Sequence, residues 1–273
     1  MLTLTFIDIL ALLGTGAMVG LLAGLLGVGG GLIVVPILIY LLPQFGIDAS
    51  LVTHMSIATS MATIVVTSFS SVRAHHRHQT IIWWVFWAMT PGVIIGGLMG
   101  SYMTRFIAAE NLKLVFGFFA LLIALQMILK FRPSAHFSEP GRLRLGMSGV
   151  IIGTLSSLVG IGGGSITVPY LSFWNTSMAR SVGTSSAIGL PLSIAGTTGF
   201  IIAGLHVENL PAFSFGYIFL PAFFSIILIS TFTAQMGAKL AQKLSGKIIS
   251  RIFASFLILI AVDIFYNYFK LRA

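Results

Sequence analysis

Two glycine clusters stand where the sequence has the means to do chemistry. Gly27-Val28-Gly29-Gly30-Gly31 leads to Val35-Pro36, and Gly160-Ile161-Gly162-Gly163-Gly164 leads to Val168-Pro169, 133 residues later in a chain of 273. Each interrupts an apolar run long enough to cross a bilayer. Glycine weakens a helix by roughly 1 kcal/mol per residue, so a cluster at that depth needs a reason. A helix that restarts there points unpaired N–H groups, and the positive end of its dipole, at whatever lies ahead, which suits a small anion. Close packing of neighbouring helices uses the same residue type. The clusters therefore read as anion-binding helix breaks or as packing surfaces, and their repetition in register favours the breaks. A nucleotide loop is a poor reading, because no Lys-Ser/Thr follows the glycines and no soluble βαβ unit flanks them.

Hydroxyls recur at matched places after each cluster. Ala58-Thr59-Ser60 corresponds to Gly183-Thr184-Ser185, with Ser186 next. Thr59, Ser60, Thr184, Ser185 and Ser186 are placed either to complete a polar lining around an anion or to bond back to the carbonyls of their own helices. His54 reads as a proton-linked or substrate group, or as an interface histidine bonded to a neighbouring helix. His75, His76 and His78 alternate with Arg73 and Arg77 and have no carboxylate nearby, so they read as a cytoplasmic loop and not as a metal site. Of the six acids only Asp263 falls inside a span. A cation pump or proton relay usually needs intramembrane carboxylates, so their scarcity agrees with an anion. No Ser-His-Asp, paired-carboxylate or zinc-type arrangement is present, and neither catalysis nor a cofactor is expected.

The elements that must position these residues are membrane helices. The chain is 57% hydrophobic and 8% charged, with a mean hydropathy of +1.03, whereas soluble domains carry about 25% charged residues. Uncharged runs at 9–47, 49–72, 81–104, 145–179, 181–205 and 209–238 meet the roughly 20 residues a spanning helix needs. An all-α polytopic membrane protein follows. The net charge of +9 does not point to nucleic acid, because the basic residues lie between spans, where they set orientation. Met1–Asp8 has no Lys or Arg, unlike a cleaved signal peptide, so the first helix is expected to be retained. The chain has no cysteine, which rules out disulfides and thiolate chemistry.

In chain order the expected helices are 6–26, a half-helix at 32–42 ended by Pro43, and 49 to about 72, capped from Asp48. Next come 81–103, opened by Trp83, Trp84 and Trp87 as an interfacial belt, and 112–129. The pattern then restarts with 145–159, a short helix at 165–174, 179–205, 210 to about 239 with Pro221 inside it, and 247–269. Pro133, Pro140 and Gly141 mark a linker. The organisation is a first membrane repeat at 1–132, a linker at 133–141 and a second repeat at 142–273, together one transport domain.

Further matches support a duplication: Pro91 with Pro221, Met99-Gly100 with Met236-Gly237, Phe116 with Phe253 and Gln126 with Asp263. Each half holds three long spans and a broken pair that returns to its own side. Each half therefore crosses an odd number of times, and the repeats are inverted. Eleven of the fifteen Lys and Arg residues then collect on one face, from Arg73 and Arg77 through Lys130, Arg144 and Arg180 to Lys239 and Arg251. That face is expected to be cytoplasmic, with both termini periplasmic. Inverted repeats with glycine-interrupted segments at equivalent positions mark secondary transporters that bind substrate near the midplane.

The paired Gly-x-Gly-Gly-Gly-x-x-x-Val-Pro motifs and the Ala/Gly-Thr-Ser after each resemble the TauE/SafE sulfite exporter family, over nearly the whole chain and in both halves. The resemblance implies transport of sulfite, organosulfonates or related small oxyanions, usually outward across the bacterial inner membrane. By motif it implies a site at Gly29, Gly30, Gly31, Thr59, Ser60, Gly162, Gly163, Gly164, Thr184 and Ser185. Ala58 stands where the second copy has Gly183, so the two halves of the site need not be equivalent. A permease for another small anion or carboxylate is the alternative, with a membrane enzyme or assembly factor more distant.

Overall fold

The structure, a computed structural model, describes residues 5–26, 30–129, 140–174, 176–241 and 246–270. Gly27, Val28 and Gly29 of the first cluster, and most of the linker at 133–141, lie outside the described residues. The chain forms α1 (Phe6–Leu26), α2 (Gly31–Leu41) with a 3-10 turn (Leu42–Phe45), α3 (Ala49–Arg77), α4 (Trp83–Met103) with a 3-10 turn (Thr104–Phe106) and α5 (Ala109–Leu129). The second half forms α6 (Arg142–Val159), α7 (Gly164–Ser172), α8 (Met178–Gly204), a hairpin of β1 (Ser214–Phe215) and β2 (Ile218–Phe219), α9 (Leu220–Ala241) and α10 (Gly246–Lys270). Seven of the described helices are long and apolar enough to cross a membrane.

Local chemistry sets most boundaries. Asp48 caps α3, accepting the Ser50 N–H at 2.8 Å, and the Ser50 hydrogen bonds hold its carboxyl below the ordinary range. Pro43 and a left-handed Gly46 close the turn after α2. Two boundaries differ from the sequence expectation by five residues or more. Helix α3 does not stop near Val72 but continues to Arg77, so Arg73–His78 is mostly a helix end and not a loop. Its 29 residues extend about 44 Å at 1.5 Å each, more than the roughly 30 Å hydrocarbon core, so charge can end the apolar run without ending the helix. Helix α9 begins at Leu220 and not at Leu210. Pro221 sits in its first turn, where the missing N–H is not needed. The preceding residues form left-handed turns at Asn209 and Phe213 and a hairpin bent at Gly216 (φ +56°).

Packing is organised as five long contacts: α1 along α9, α4 along α6, α4 along α8, α3 along α8, and α5 along α10. Helices in lipid gain no hydrophobic drive from pairing and depend on close approach. A Cβ added at Gly96 would lie 2.1 Å from the Val150 carbonyl, and one at Gly153 would lie 2.8 Å from the Val93 carbonyl. Gly20 and Gly237 play the same part between α1 and α9, while Gly14 touches nothing within 4 Å. α2 and the middle of α3 form the buried centre, where Leu32, Val34, Leu38, Met55, Ile57 and Met61 have no more than 1% exposure. Phe118, Leu122, Phe224, Leu228, Phe232 and Leu259 face outward and exposed, as lipid-facing residues do.

Candidate functional site

Each cluster is a helix break. In the second, α6 ends at Gly160 (φ +74°) and α7 starts after Gly163 (φ +72°). These are left-handed positions that disfavour any side chain. The first helical bonds of α7 run from the Ile166 and Thr167 N–H groups to the Gly163 carbonyl, at 3.1 and 2.8 Å. The N–H groups of Gly164 and Ser165 then have no described acceptor. In α2 the Ile33 and Val34 N–H groups bond to Gly30 at 3.0 and 2.9 Å, which leaves Gly31 and Leu32 in the same position. The loops are not alike in conformation: Gly30 is right-handed (φ −57°), Gly163 left-handed.

The two breaks touch. A Cβ on Gly31 would lie 2.4 Å from the Gly160 carbonyl. Ser60, on α3, donates its hydroxyl to that same carbonyl at 2.9 Å. Beside this contact a cavity of about 940 Å³ is lined by Gly30, Gly162, Gly164 and Ser165 from the loops, and by Ser185 and Ser186 from α8. Thr67, Ser68 and Ser71 from α3 and Gln126 from α5 complete its polar wall, and Leu32, Ile64, Ile123, Met127, Val168 and Phe253 supply an apolar one. Ser185 is 1% exposed and its Oγ has no hydrogen-bond partner. That Oγ lies 3.9 Å from where a Gly164 Cβ would be, beside the start of α7. The Ser165 Oγ is likewise buried without a partner.

Other expected residues are placed elsewhere. Thr59 Oγ1 accepts the Phe219 N–H at 3.0 Å and Thr184 Oγ1 accepts the Ile82 N–H at 2.9 Å. Phe219 and Ile82 immediately precede α9 and α4, so each threonine holds the start of a long helix in the other half. Neither lines the cavity. Gly31 and Gly163 are turned into packing, Gly163 against Leu192. His54 takes its helix-bonded position: its Nε2 is 2.9 Å from the Thr104 carbonyl and its ring stacks on Tyr217 at 5.1 Å. His75 Nδ1 is 2.9 Å from Thr80 Oγ1, and His76 meets Trp83 edge-on. No group of three or more potential ligands is present among the described residues. Asp263 accepts from Tyr40 and, at 3.0 Å, from Asn267.

The sequence reading missed Thr67, Ser68 and Ser71, and it named Gln126 only as a repeat partner. A signal existed: Ile64, Thr67, Ser68 and Ser71 share one helical face at i, i+3, i+4 and i+7. No described lining residue is charged, and none pairs a nucleophile with a base. The described lining offers neutral donors around a helix start, an arrangement that can hold a small solute.

Comparisons with known proteins agree with a transport role. The chain is 36% identical over 265 residues to a probable membrane transporter protein of Haemophilus influenzae, covering 95% of this chain and 99% of that protein. It is 29% identical to a probable membrane transporter protein of Methanocaldococcus jannaschii, with 85% and 86% covered, and 26% identical to a probable membrane transporter protein, YunE, of Bacillus subtilis, with 92% and 95% covered. No solved structure matches the chain significantly. The family model described as sulfite exporter TauE/SafE matches residues 12–264, so the chain is a multi-pass membrane transporter protein of the TauE/SafE family.

Proposed function

We propose that the chain carries a small oxyanion, sulfite or an organosulfonate, outward across the bacterial inner membrane, with the anion held where the start of α7 meets Ser185. The observation that carries this reading is the Ser185 hydroxyl, buried and unpartnered beside the first residue of a short helix. A buried hydroxyl left without a bond costs free energy, and an anion would repay it. One helix terminus contributes up to ~2 kcal/mol where partly buried, less than the several kcal/mol needed to dehydrate an ion. Direct bonds supply the rest, at roughly 1.5–3 kcal/mol each. Gly162, Gly164, Ser165, Ser185 and Ser186 hold the anion, with Gly30 facing it; Gly29 lies outside the described residues. Gly31, Ser60 and Gly163 shape the loops, and Thr59 and Thr184 anchor α9 and α4 across the halves.

Inverted repeats at 1–132 and 142–273 are supported by the exchange of helix partners. If α1 corresponds to α6 and α4 to α9, the α1–α9 and α6–α4 contacts are the same contact made twice. The reciprocal Thr59 and Thr184 bonds repeat in the same way. The cavity runs along the ends of α3, α5, α8, α9 and α10 that lie next to Arg73, Lys130, Arg180, Lys239 and Arg251. By the positive-inside rule those ends are cytoplasmic, which puts the cavity mouth inside and both termini in the periplasm.

Purified protein in liposomes should release sulfite, and Ser185→Ala should weaken the apparent affinity about tenfold or more, since a bond to a charge is lost. Unchanged affinity would remove the anion from this place. Orientation has its own test, because the chain offers no background cysteine. A cysteine at Ser71 should react with an impermeant thiol reagent in inside-out vesicles and stay unlabelled in intact cells; labelling from outside would reverse the topology.

A further inference from the structure

We propose that the cavity takes its oxyanion only as a single negative charge, as hydrogensulfite or a sulfonate, and rejects the sulfite and sulfate dianions. The inference rests on the placement of the anion beside Ser185 argued above. Its basis is the chemistry of the wall. Ser68, Ser165, Ser185, Ser186 and Gln126 give it hydroxyls and one amide, and the glycine loops add backbone N–H groups. No described lining residue bears a charge. The undescribed residues between α1 and α2 are Gly27, Val28 and Gly29, which cannot bear one either. Among the described basic residues at these helix ends, Arg73, Arg180, Lys239 and Arg251 are exposed and outside the lining.

The consequence follows from how two energies grow with charge. The cost of moving an ion out of water rises with the square of its charge, in the continuum picture that makes burial of even one charge expensive. The favourable interaction with fixed neutral dipoles, whether hydroxyls, N–H groups or a helix terminus, rises only in proportion to the charge. Going from one charge to two doubles the attraction and quadruples the penalty. Sites for doubly charged oxyanions escape this with guanidinium or ammonium groups, which are absent among the described residues of this wall. The apolar wall formed by Ile64, Met127, Val168 and Phe253 raises the penalty further, because it offers a dianion nothing in place of water. It does suit the organic end of a sulfonate.

The test uses the intact protein in liposomes with three probes. Sulfite at constant total concentration loses its remaining proton near neutral pH, whereas methanesulfonate keeps one charge throughout. Sulfite efflux should fall several-fold between pH 6 and pH 8, in step with the hydrogensulfite fraction, while methanesulfonate transport stays level and sulfate does not compete. Gln126→Lys, which places a cation in the wall, should make sulfate a competitor. Sulfite efflux that holds steady or rises with pH, or sulfate that competes with the wild type as well as methanesulfonate does, would overturn the inference and leave anion transport standing. A fall shared equally by methanesulfonate would trace the effect to the protein and overturn it too. If neither sulfite nor methanesulfonate moves at either pH, the transport reading itself fails and takes the charge rule with it.

Discussion

Gly31→Val should abolish sulfite efflux while the protein still reaches the membrane. A Cβ at Gly31 would lie 2.4 Å from the Gly160 carbonyl, 2.8 Å from Ile64 Cδ1 and 3.1 Å from Ser60 Oγ. Ile64 can turn aside; the carbonyl cannot, because it belongs to a left-handed turn already fixed by Gly160. The loops must therefore separate, and the Ser60 bond to that carbonyl stretches with them. Overpacking of this kind costs about 1–3 kcal/mol, enough to shift the loops without unfolding the described helices. Separation moves the start of α7 away from Ser185, and the proposed anion site would lose both partners at once. Gly14→Ala is the matched control: nothing lies within 4 Å of that position, and alanine favours a helix by about 1 kcal/mol. The comparison is made by efflux from liposomes and by membrane-fraction yield. Normal efflux by Gly31→Val would mean that the two loops need not meet for transport.

Much of the fold was legible because a bilayer makes sequence patterns blunt. Helix α1 spans Phe6–Leu26, the same limits the apolar run gives, and both half-helices begin at the last glycine of their cluster. Asp48-Ala-Ser50 announces its helix through side-chain chemistry within three residues. What escaped depends on partners far away in the chain. A threonine inside an apolar helix looks the same whether it awaits a ligand or a backbone N–H. Thr59 and Thr184 find theirs 160 and 102 residues distant. Pro221 was ambiguous for a related reason, since proline in a helix interior and proline in a first turn are told apart only by where the helix begins. At Arg73–His78 the charges mark the edge of the bilayer's apolar layer, while helical hydrogen bonding continues past it to Arg77.

The site divides along the same line. The sequence named the breaks and Ser185, which line the cavity, because the matched motifs mark them twice. It did not locate Ser68, Ser71 or Gln126 in the cavity wall, because nothing local separates a cavity-facing helix surface from one facing another helix. Repeat symmetry would not have supplied them either. Gln126 lines the cavity while Asp263, which the proposed repeat matches to it, is bonded to Tyr40 and Asn267, so the matched positions have different surroundings.

Gly96→Val should prevent stable folding altogether. Gly92, Gly96 and Gly100 are four residues apart and so share one face of α4. Cβ atoms added there would lie 2.0, 2.1 and 2.4 Å from the carbonyls of Gly146, Val150 and Thr154, which follow the same spacing on α6. These are backbone-to-backbone contacts, so no rotamer change relieves them. Without a hydrophobic drive between helices in lipid, such proximity is what holds the pair, helped by weak Cα–H···O contacts. Valine at the middle position would push the helices apart along the whole face, losing the contacts at Gly92 and Gly100 as well. The cost should exceed the ~3 kcal/mol upper range of ordinary overpacking, a large share of a typical 5–15 kcal/mol stability. The effect would reach the site as well, because α6 leads directly into Gly160 and the start of α7. Gly146→Ala lies in the same interface, but its Cβ would be 3.6 Å from the nearest atom, so that variant should behave as the wild type. Monodispersity and melting temperature in detergent distinguish the two. A Gly96→Val protein that melts with the wild type would show that α4 and α6 do not need this contact.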